Sequence, residues 1–205
     1  MSLPLPGERR PPLLEALLAI LVVIGLCAAG CATSGTQGRR RPAVLEAAER
    51  EARRPPPATE ASRDENAAFV ERALREAGLR FGTDGSAGAL WGYLRTSQRL
   101  VEADHARPGD VVFFDTRGLA DALECADQAG IVESVEPDGR ITVISAGDGG
   151  IRRAFVDPAR PTARRGDHGE ILNSFLRPKR VDDPPNARYF AGEMLCGVAR
   201  ARLGG

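Results

Sequence analysis

Cysteine, histidine and acidic side chains are the groups in this 205-residue chain whose types suit catalysis or metal binding. The cysteines are Cys27, Cys31, Cys125 and Cys196, and the histidines are His105 and His168. A cysteine thiolate activated by an imidazole is a nucleophile for acyl transfer, and such sites are recognised by geometry and not by sequence order. Cys125 paired with one of the histidines is therefore one candidate site.

Five carboxylates fall in the middle of the chain, around Cys125. They are Asp110, Asp115, Asp121, Glu124 and Asp127. Carboxylate oxygens bind calcium, but this spacing does not match an EF-hand loop, so we interpret the run as a solvated loop. Cysteine and histidine clusters at zinc-ligand spacing are absent from the sequence, as are a phosphate-binding loop and a dinucleotide fingerprint. The sequence predicts neither a metal nor a cofactor.

The N-terminus has the organisation of an export signal. Arg9 and Arg10 precede an apolar stretch, Leu13–Leu26, of about 14 residues, which is short for a membrane span but suits a signal-peptide core. The small residues 28–30 then precede Cys31. Small side chains before a cysteine resemble the bacterial lipoprotein signal, although Ala28 stands where leucine is commoner. That resemblance implies that Cys31 becomes the first residue and carries lipid.

Two other interpretations of the N-terminus stay open. A plain secretory signal would leave a soluble exported protein, and an uncut segment would be an N-terminal membrane anchor. All three interpretations place the rest of the chain outside the cytoplasm. With a lipid on Cys31, the chain is expected to be a membrane-anchored protein of the bacterial cell envelope.

Charge and composition divide the remaining chain into a tether and a domain. The 28 basic and 28 acidic residues cancel, which argues against a nucleic-acid-binding protein. Residues 32–63 carry seven Arg against four Glu, a net of +3, whereas residues 64–205 carry 19 basic against 22 acidic residues, a net of −3. We assign 1–30 to the signal, 31–61 to a disordered Arg/Pro-rich tether and 62–205 to a globular domain. A transient helix at 43–53 would end at the prolines 55–57.

Hydrophobic periodicity within the domain predicts helices first and strands later. A capping box at Ser62–Glu65 opens a helix that Gly78 ends, and a second helix covers Ala89–Ser97. The predicted strands are Val111–Phe114, Ala129–Val135, Ile141–Ser145 and Ile151–Val156, with a hairpin at 137–139. Ile171–Leu176 and Tyr189–Leu203 are predicted as short helices. The fold class is α+β, with a small antiparallel sheet and a helical C-terminal tail.

The order of these motifs resembles a known family. The segments are Arg107-Pro-Gly-Asp-Val-Val-Phe-Phe114, Ala129-Gly-Ile-Val-Glu133 and Gly139-Arg-Ile-Thr-Val-Ile-Ser145, which follow a helix, a Gly-rich turn and a second helix. This order is similar to the NlpC-type and CHAP cell-wall peptidases, which are papain-like cysteine hydrolases of peptidoglycan. The resemblance covers residues 66–155 and implies a papain-like fold.

The catalytic positions that the resemblance implies are occupied by other residues. The family cysteine corresponds to Gly85, the family histidine to Gln128, and the residue that orients the histidine to Ser145. Glycine has no side chain to attack a carbonyl, and a glutamine amide does not exchange a proton near neutral pH. Ser86 is interpreted as a helix N-cap, because no general base is placed beside it. The resemblance therefore implies a pseudoenzyme.

Cys125 and Cys196 form an even pair in an oxidising compartment, so they either form a disulfide or pack as two thiols. Across this separation a disulfide would contribute ~4 kcal/mol in the chain-entropy model. Three functions are weighed. The first is a non-catalytic module that binds peptidoglycan or an envelope protein. The second is an active hydrolase that uses Cys125, and the third is a purely structural lipoprotein.

Overall fold

Six strands form one antiparallel sheet that organises the domain. The computed structural model describes residues 41–53, 65–79, 85–116, 125–147 and 150–201. The strands are β1 (Leu100–Val101), β2 (Val111–Phe114), β3 (Gln128–Val135), β4 (Ile141–Gly147), β5 (Gly150–Val156) and β6 (Leu195–Ala199). Their order in the sheet is β1-β6-β2-β3-β4-β5, and all the neighbouring pairs are antiparallel. The predicted α+β class is confirmed at this level.

Four α-helices accompany the sheet in the described part of the chain. They are α1 (Ala43–Ala52), α2 (Glu65–Glu76), α3 (Ala87–Thr96) and the four-residue α4 (Ala191–Met194), with a 3₁₀ turn at Ala103–His105. Helices α2 and α3 occupy the two predicted helical regions. Ser62, the predicted start of the capping box, lies outside the described residues. Gly78 ends α2 as predicted, with a φ of +91°, and Leu79 N–H donates to the Leu74 carbonyl at 2.9 Å.

The sheet has two differently covered faces. On one face, which we call the helix face, Val111, Phe113, Ala129 and Ile131 pack in one cluster with buried residues of α1, α2 and α3. On the opposite face, the loop face, Val112, Phe114, Val132 and Val143 pack with Ala191, Met194 and the half-buried Leu176. Strand alternation separates the two sets, because successive side chains point to opposite sides of a sheet. Both clusters are drawn from residues 44–201, and residues 41–205 form one compact unit.

Helix α1 corrects the predicted boundaries of the tether. Residues 43–52, expected to form at most a transient helix within a disordered tether, form a helix whose buried residues Val44, Leu45, Ala47 and Ala48 join the helix-face cluster. Pro42, just before the helix, packs against the Pro108-Gly109-Asp110 turn. A Cβ on Gly109 would lie 2.7 Å from the Pro42 Cβ. The helix is therefore stabilised by tertiary burial, which local composition does not reveal.

The C-terminal prediction is also wrong. Residues 171–176, predicted as a helix, form bends and two isolated β-bridges, and the described residues 189–201 contain α4 and then strand β6 between β1 and β2. Gly197 explains part of the change, because a Cβ there would lie 2.9 Å from the Trp91 ring of α3. The ring of Trp91 also meets Phe113 edge-on, at 5.1 Å between centroids. A short, glycine-containing strand thus lies between β1 and β2, in place of a helical tail.

Candidate functional site

The N-terminus of α3 lies beside Gly85, the position that the resemblance assigns to a nucleophile. Ser86 caps this helix, because its Oγ accepts a hydrogen bond from Ala89 N–H at 3.1 Å, and the N-cap interpretation is confirmed. Gly85 precedes the cap with a φ of +85°. A non-glycine residue is strained in this left-handed region, so the backbone as well as the missing side chain disfavours a cysteine here. The helix end offers partial positive charge without a nucleophile.

The start of β3 and the end of β4 lie beside each other at one end of the sheet. Gln128 opens β3 opposite Phe114 of β2, and Ser145 lies near the end of β4 opposite Arg152 of β5. Gly130 connects the two positions, because a Cβ on Gly130 would lie 3.5 Å from the Cβ of Ser145. Gln128, Gly130 and Ser145 therefore line one side of this end of the sheet.

Helix α3 starts close to this same end. A Cβ on Gly88, in the first turn of α3, would lie 3.5 Å from the carbonyl oxygen of Ala126. Ala126 itself has a φ of +89°, which is rare for a residue with a side chain. The helix N-terminus and the approach to β3 are thus in van der Waals contact. A helix start therefore lies beside a strand start at this end of the sheet.

The side chains, however, do not converge. Ala129 and Ile144, the neighbours of Gln128 and Ser145, lie on the helix face with α3, and Ala146 also packs there. Alternation along a strand then places Gln128 and Ser145 on the loop face. Gln128, Ser145 and the start of α3 therefore lie at the same end of the sheet. The two side chains are on the loop face, whereas α3 is on the helix face. A nucleophile at position 85 would not be served by a base at position 128.

Cys125 and Cys196 are joined in a disulfide in this structure. Their Cα atoms are 6.0 Å apart, and 71 residues separate them along the chain. Cys125 is 5% exposed and belongs to the helix-face cluster, against which Cys196 also packs. The bridge connects the segment entering β3 with the start of β6. In this state Cys125 has no thiol, which removes the nucleophile of the relocated-site hypothesis.

Neither histidine is hydrogen-bonded to Cys125. His105 ends the 3₁₀ turn, with its side chain 72% exposed and its Nδ1 3.6 Å from Asp104. His168 lies in the loop at 164–171, where its backbone N–H donates to Glu170. The described residues therefore contain no cysteine–imidazole pair.

The acidic run has structural roles where it is described. Asp127 accepts hydrogen bonds from Thr116 N–H at 2.8 Å and from Thr116 Oγ1 at 2.5 Å. Asp110 and Asp115 are both buried, with 3% of each residue exposed. Asp121 and Glu124 lie outside the described residues. Across the described ranges no group of three or more metal-ligating side chains is assembled.

Asp110 is the most perturbed carboxyl group of the described residues. Burial raises its pKa above the ordinary value of 3.8, and the Arg107 N–H, the Arg200 guanidinium and the Ala201 N–H partly offset this effect. Arg107 N–H donates to Asp110 Oδ2 at 2.9 Å, and Arg200 Nε lies 3.9 Å from the same oxygen. These contacts fix the Pro-Gly-Asp turn. Apart from the Pro-Gly-Asp motif, nothing in the sequence indicated that Asp110 would be buried.

Family models, curated proteins and solved structures gave no match when compared with this chain. The resemblance to cell-wall peptidases therefore rests on the residues quoted above. Within the described residues no helix is long and apolar enough to cross a membrane. The apolar stretch Leu13–Leu26 and the lipid-attachment candidate Cys31 both lie outside the described residues.

Proposed function

We propose that this chain is a lipid-anchored, non-catalytic protein of the bacterial cell envelope, whose degenerate CHAP/NlpC-like domain binds peptidoglycan. The observation that supports the non-catalytic part is the arrangement at the end of the sheet. Gly85 has no side chain, Gln128 and Ser145 lie on the opposite face from α3, and Cys125 is held in a disulfide. Each element of acyl-transfer chemistry is missing or misplaced there.

The binding part follows from what this end of the sheet still offers. The amide of Gln128 and the hydroxyl of Ser145, both half-buried, lie on the loop face at the end of the sheet where α3 begins on the other face. Amide and hydroxyl groups both donate and accept hydrogen bonds, as peptide recognition requires. We expect a stem peptide of peptidoglycan to lie across this end of the sheet and to leave uncleaved.

Residues 41–205 contain both clusters completely, so this segment can be tested in isolation once its cooperative unfolding has been checked. The segment is incubated with purified peptidoglycan sacculi, and sedimentation and soluble muropeptides are measured separately. We expect co-sedimentation without release. Gln128→Arg should weaken co-sedimentation, because it places a bulky charge at the start of β3. Ser97→Arg, at the far end of α3, adds the same charge and should not.

Two cysteine variants separate the hydrolase alternative from the proposal. Cys125→Ala and Cys196→Ala both remove the disulfide, but only the second leaves a thiol at position 125. Release of muropeptides that is present in Cys196→Ala and lost in Cys125→Ala would establish an active hydrolase and contradict the proposal. Failure of the unmodified segment to co-sediment would favour the purely structural lipoprotein.

The anchor is tested on the full chain in a bacterial host supplied with labelled fatty acid. We expect lipid labelling of the unmodified chain and none after Cys31→Ala. Labelling that persists in the variant would contradict the assignment of Cys31. Labelling absent from both would favour a plain secretory signal or an uncut anchor.

A further inference from the structure

The loop between Arg177 and Tyr189 presents an aliphatic side chain at its apex. Val181 is fully exposed, with a relative accessibility of 108%, the highest among the large hydrophobic residues described as exposed. Turn positions are normally occupied by polar or small residues. Lys179 and Arg180 come directly before Val181, and both are exposed. An apolar tip flanked by cations is typical of surfaces that rest on a membrane interface.

The apex is held in place by a network centred on Asp183. Its carboxylate forms an ion pair with Arg177 and accepts hydrogen bonds from Arg180 N–H at 2.7 Å and from the Tyr189 hydroxyl at 2.9 Å. The Asp183 N–H donates back to the Arg180 carbonyl at 3.4 Å, which closes a turn with Val181 inside it. The side chain of Asp183 is 7% exposed. Val181 therefore lies on a turn that is already ordered by hydrogen bonds, so binding would not cost the entropy of ordering it.

The charge exposed around the apex is positive. Asp183 is neutralised by Arg177, which leaves Lys179, Arg180 and Arg188 against Asp182, a net of +2. Lys179 and Arg180 have no carboxylate partner among the residues that the structure describes, and the Lys179 Nζ lies 6.0 Å from the centre of the Tyr189 ring. The domain as a whole carries a small negative net charge. The positively charged apex therefore differs from its surroundings and is suited to an anionic surface.

We propose that the 177–189 loop docks on an anionic lipid surface, with Val181 entering the interface and Lys179 and Arg180 contacting phosphate headgroups. Negatively charged headgroups would supply the partners that Lys179 and Arg180 lack among the described residues. A soluble polyanion would satisfy them equally well but would leave Val181 in water, whereas a bilayer interface removes it from water. Docking would fix the orientation of the domain at the membrane by a contact that does not depend on Cys31.

The test uses residues 41–205, which lack both the apolar N-terminal stretch and Arg39-Arg40. Binding is measured by co-sedimentation with vesicles of phosphatidylcholine alone and with roughly one part in three of phosphatidylglycerol. We expect binding to the anionic vesicles that weakens as salt is raised. Removing both cations in Lys179→Ala/Arg180→Ala should lower the partition coefficient more than ten-fold, since each cation near the surface is worth about a five-fold change.

Matched variants on other parts of the surface control for charge and for exposed apolar area. Val181→Asp should lower binding, whereas Leu100→Asp, at another exposed aliphatic residue, should not. Arg95→Ala removes an exposed cation at the end of α3 and should leave binding unchanged. Equal binding to neutral vesicles, or no binding to anionic ones, would overturn the proposal. Binding to polyphosphate that is as strong as vesicle binding and insensitive to Val181→Ser, which removes the aliphatic side chain without adding charge, would indicate a soluble polyanion instead. Neither result bears on the sacculus assay, so the two proposals fail separately.

Discussion

The two faces of the sheet are covered by different means. On the helix face, three helices contribute apolar residues at regular spacing to one buried cluster. On the loop face, the irregular segment 157–190 and the short α4 lie over the strands. Within this segment, side chains hydrogen-bond to backbone groups and set its conformation. Helical burial is distributed over many side chains, whereas the conformation of the loop segment depends on a few polar residues.

Asn173 is the centre of the hydrogen bonding within the loop segment. Its Nδ2 donates to the carbonyls of Arg160 and Ala163 at 2.9 and 2.8 Å, and its Oδ1 accepts from Asp157 N–H at 2.8 Å. Ser174 connects the loop segment to β5, because Phe155 N–H donates a hydrogen bond to the Ser174 Oγ at 2.9 Å. A fully buried amide thus replaces the regular hydrogen bonding that a helix would supply.

The largest effect is expected on the helix face. Phe69→Ala removes a completely buried ring from α2 and should lower the free energy of unfolding by about 3–5 kcal/mol, measured by urea denaturation. Phe175→Ala is the matched control on the loop side, because Phe175 is 50% exposed. Similar losses in the two variants would contradict the assignment of the main stabilising burial to the helix face.

Asn173→Ala should be the next largest effect. It leaves Asp157 N–H and two carbonyls without their partner in a buried place, at a cost of about 3 kcal/mol, since each such group costs about 1–3 kcal/mol when no water replaces the bond. Asn186→Ala, in the exposed loop, is the control and should change stability by less than about 0.5 kcal/mol.

The comparison of faces also predicts where Asn173→Ala loosens the molecule. Hydrogen exchange should accelerate in residues 157–176, while the amides of α2 and α3 keep their protection. Uniform acceleration over both faces would show that the loop segment and the helices unfold as one unit.

The same difference explains what sequence reasoning recovered. Strand β2 was predicted with the bounds that the structure shows, and α2 and its Gly78 cap followed from periodicity and a left-handed glycine. The loop segment was mispredicted because the hydrogen bonds of Asn173 and Ser174 reach residues 10 to 19 positions away. Helix α1 was predicted only as a transient helix of the tether for a related reason, since its short apolar stripe is stable only against the core. Long-range contacts have no local signature.

For the candidate site, sequence reasoning found the positions but not their orientation. Ser86 was identified as a cap, and positions 128 and 145 do lie at one end of the sheet. Their location on the loop face depends on strand register relative to α3, which a motif comparison does not contain. The disulfide partners were named as one of two alternatives, because sequence does not report the distance between Cα atoms.

The smallest effect concerns Asp110, where the Pro-Gly-Asp turn meets the end of β6. Because burial raises its pKa in the folded protein above the ordinary value of 3.8, the folded state holds the proton more tightly than the unfolded chain. The contribution of this carboxyl to stability is therefore complete below about pH 4 and is lost as pH rises through the folded pKa. Asp110→Asn is neutral at every pH and should lack this loss. The free energy of unfolding of the unmodified protein should thus fall relative to the variant as pH rises from acid toward neutrality. The opposite slope would show that the Arg200 and Arg107 contacts outweigh burial, and that the turn is stabilised by an ionised pair.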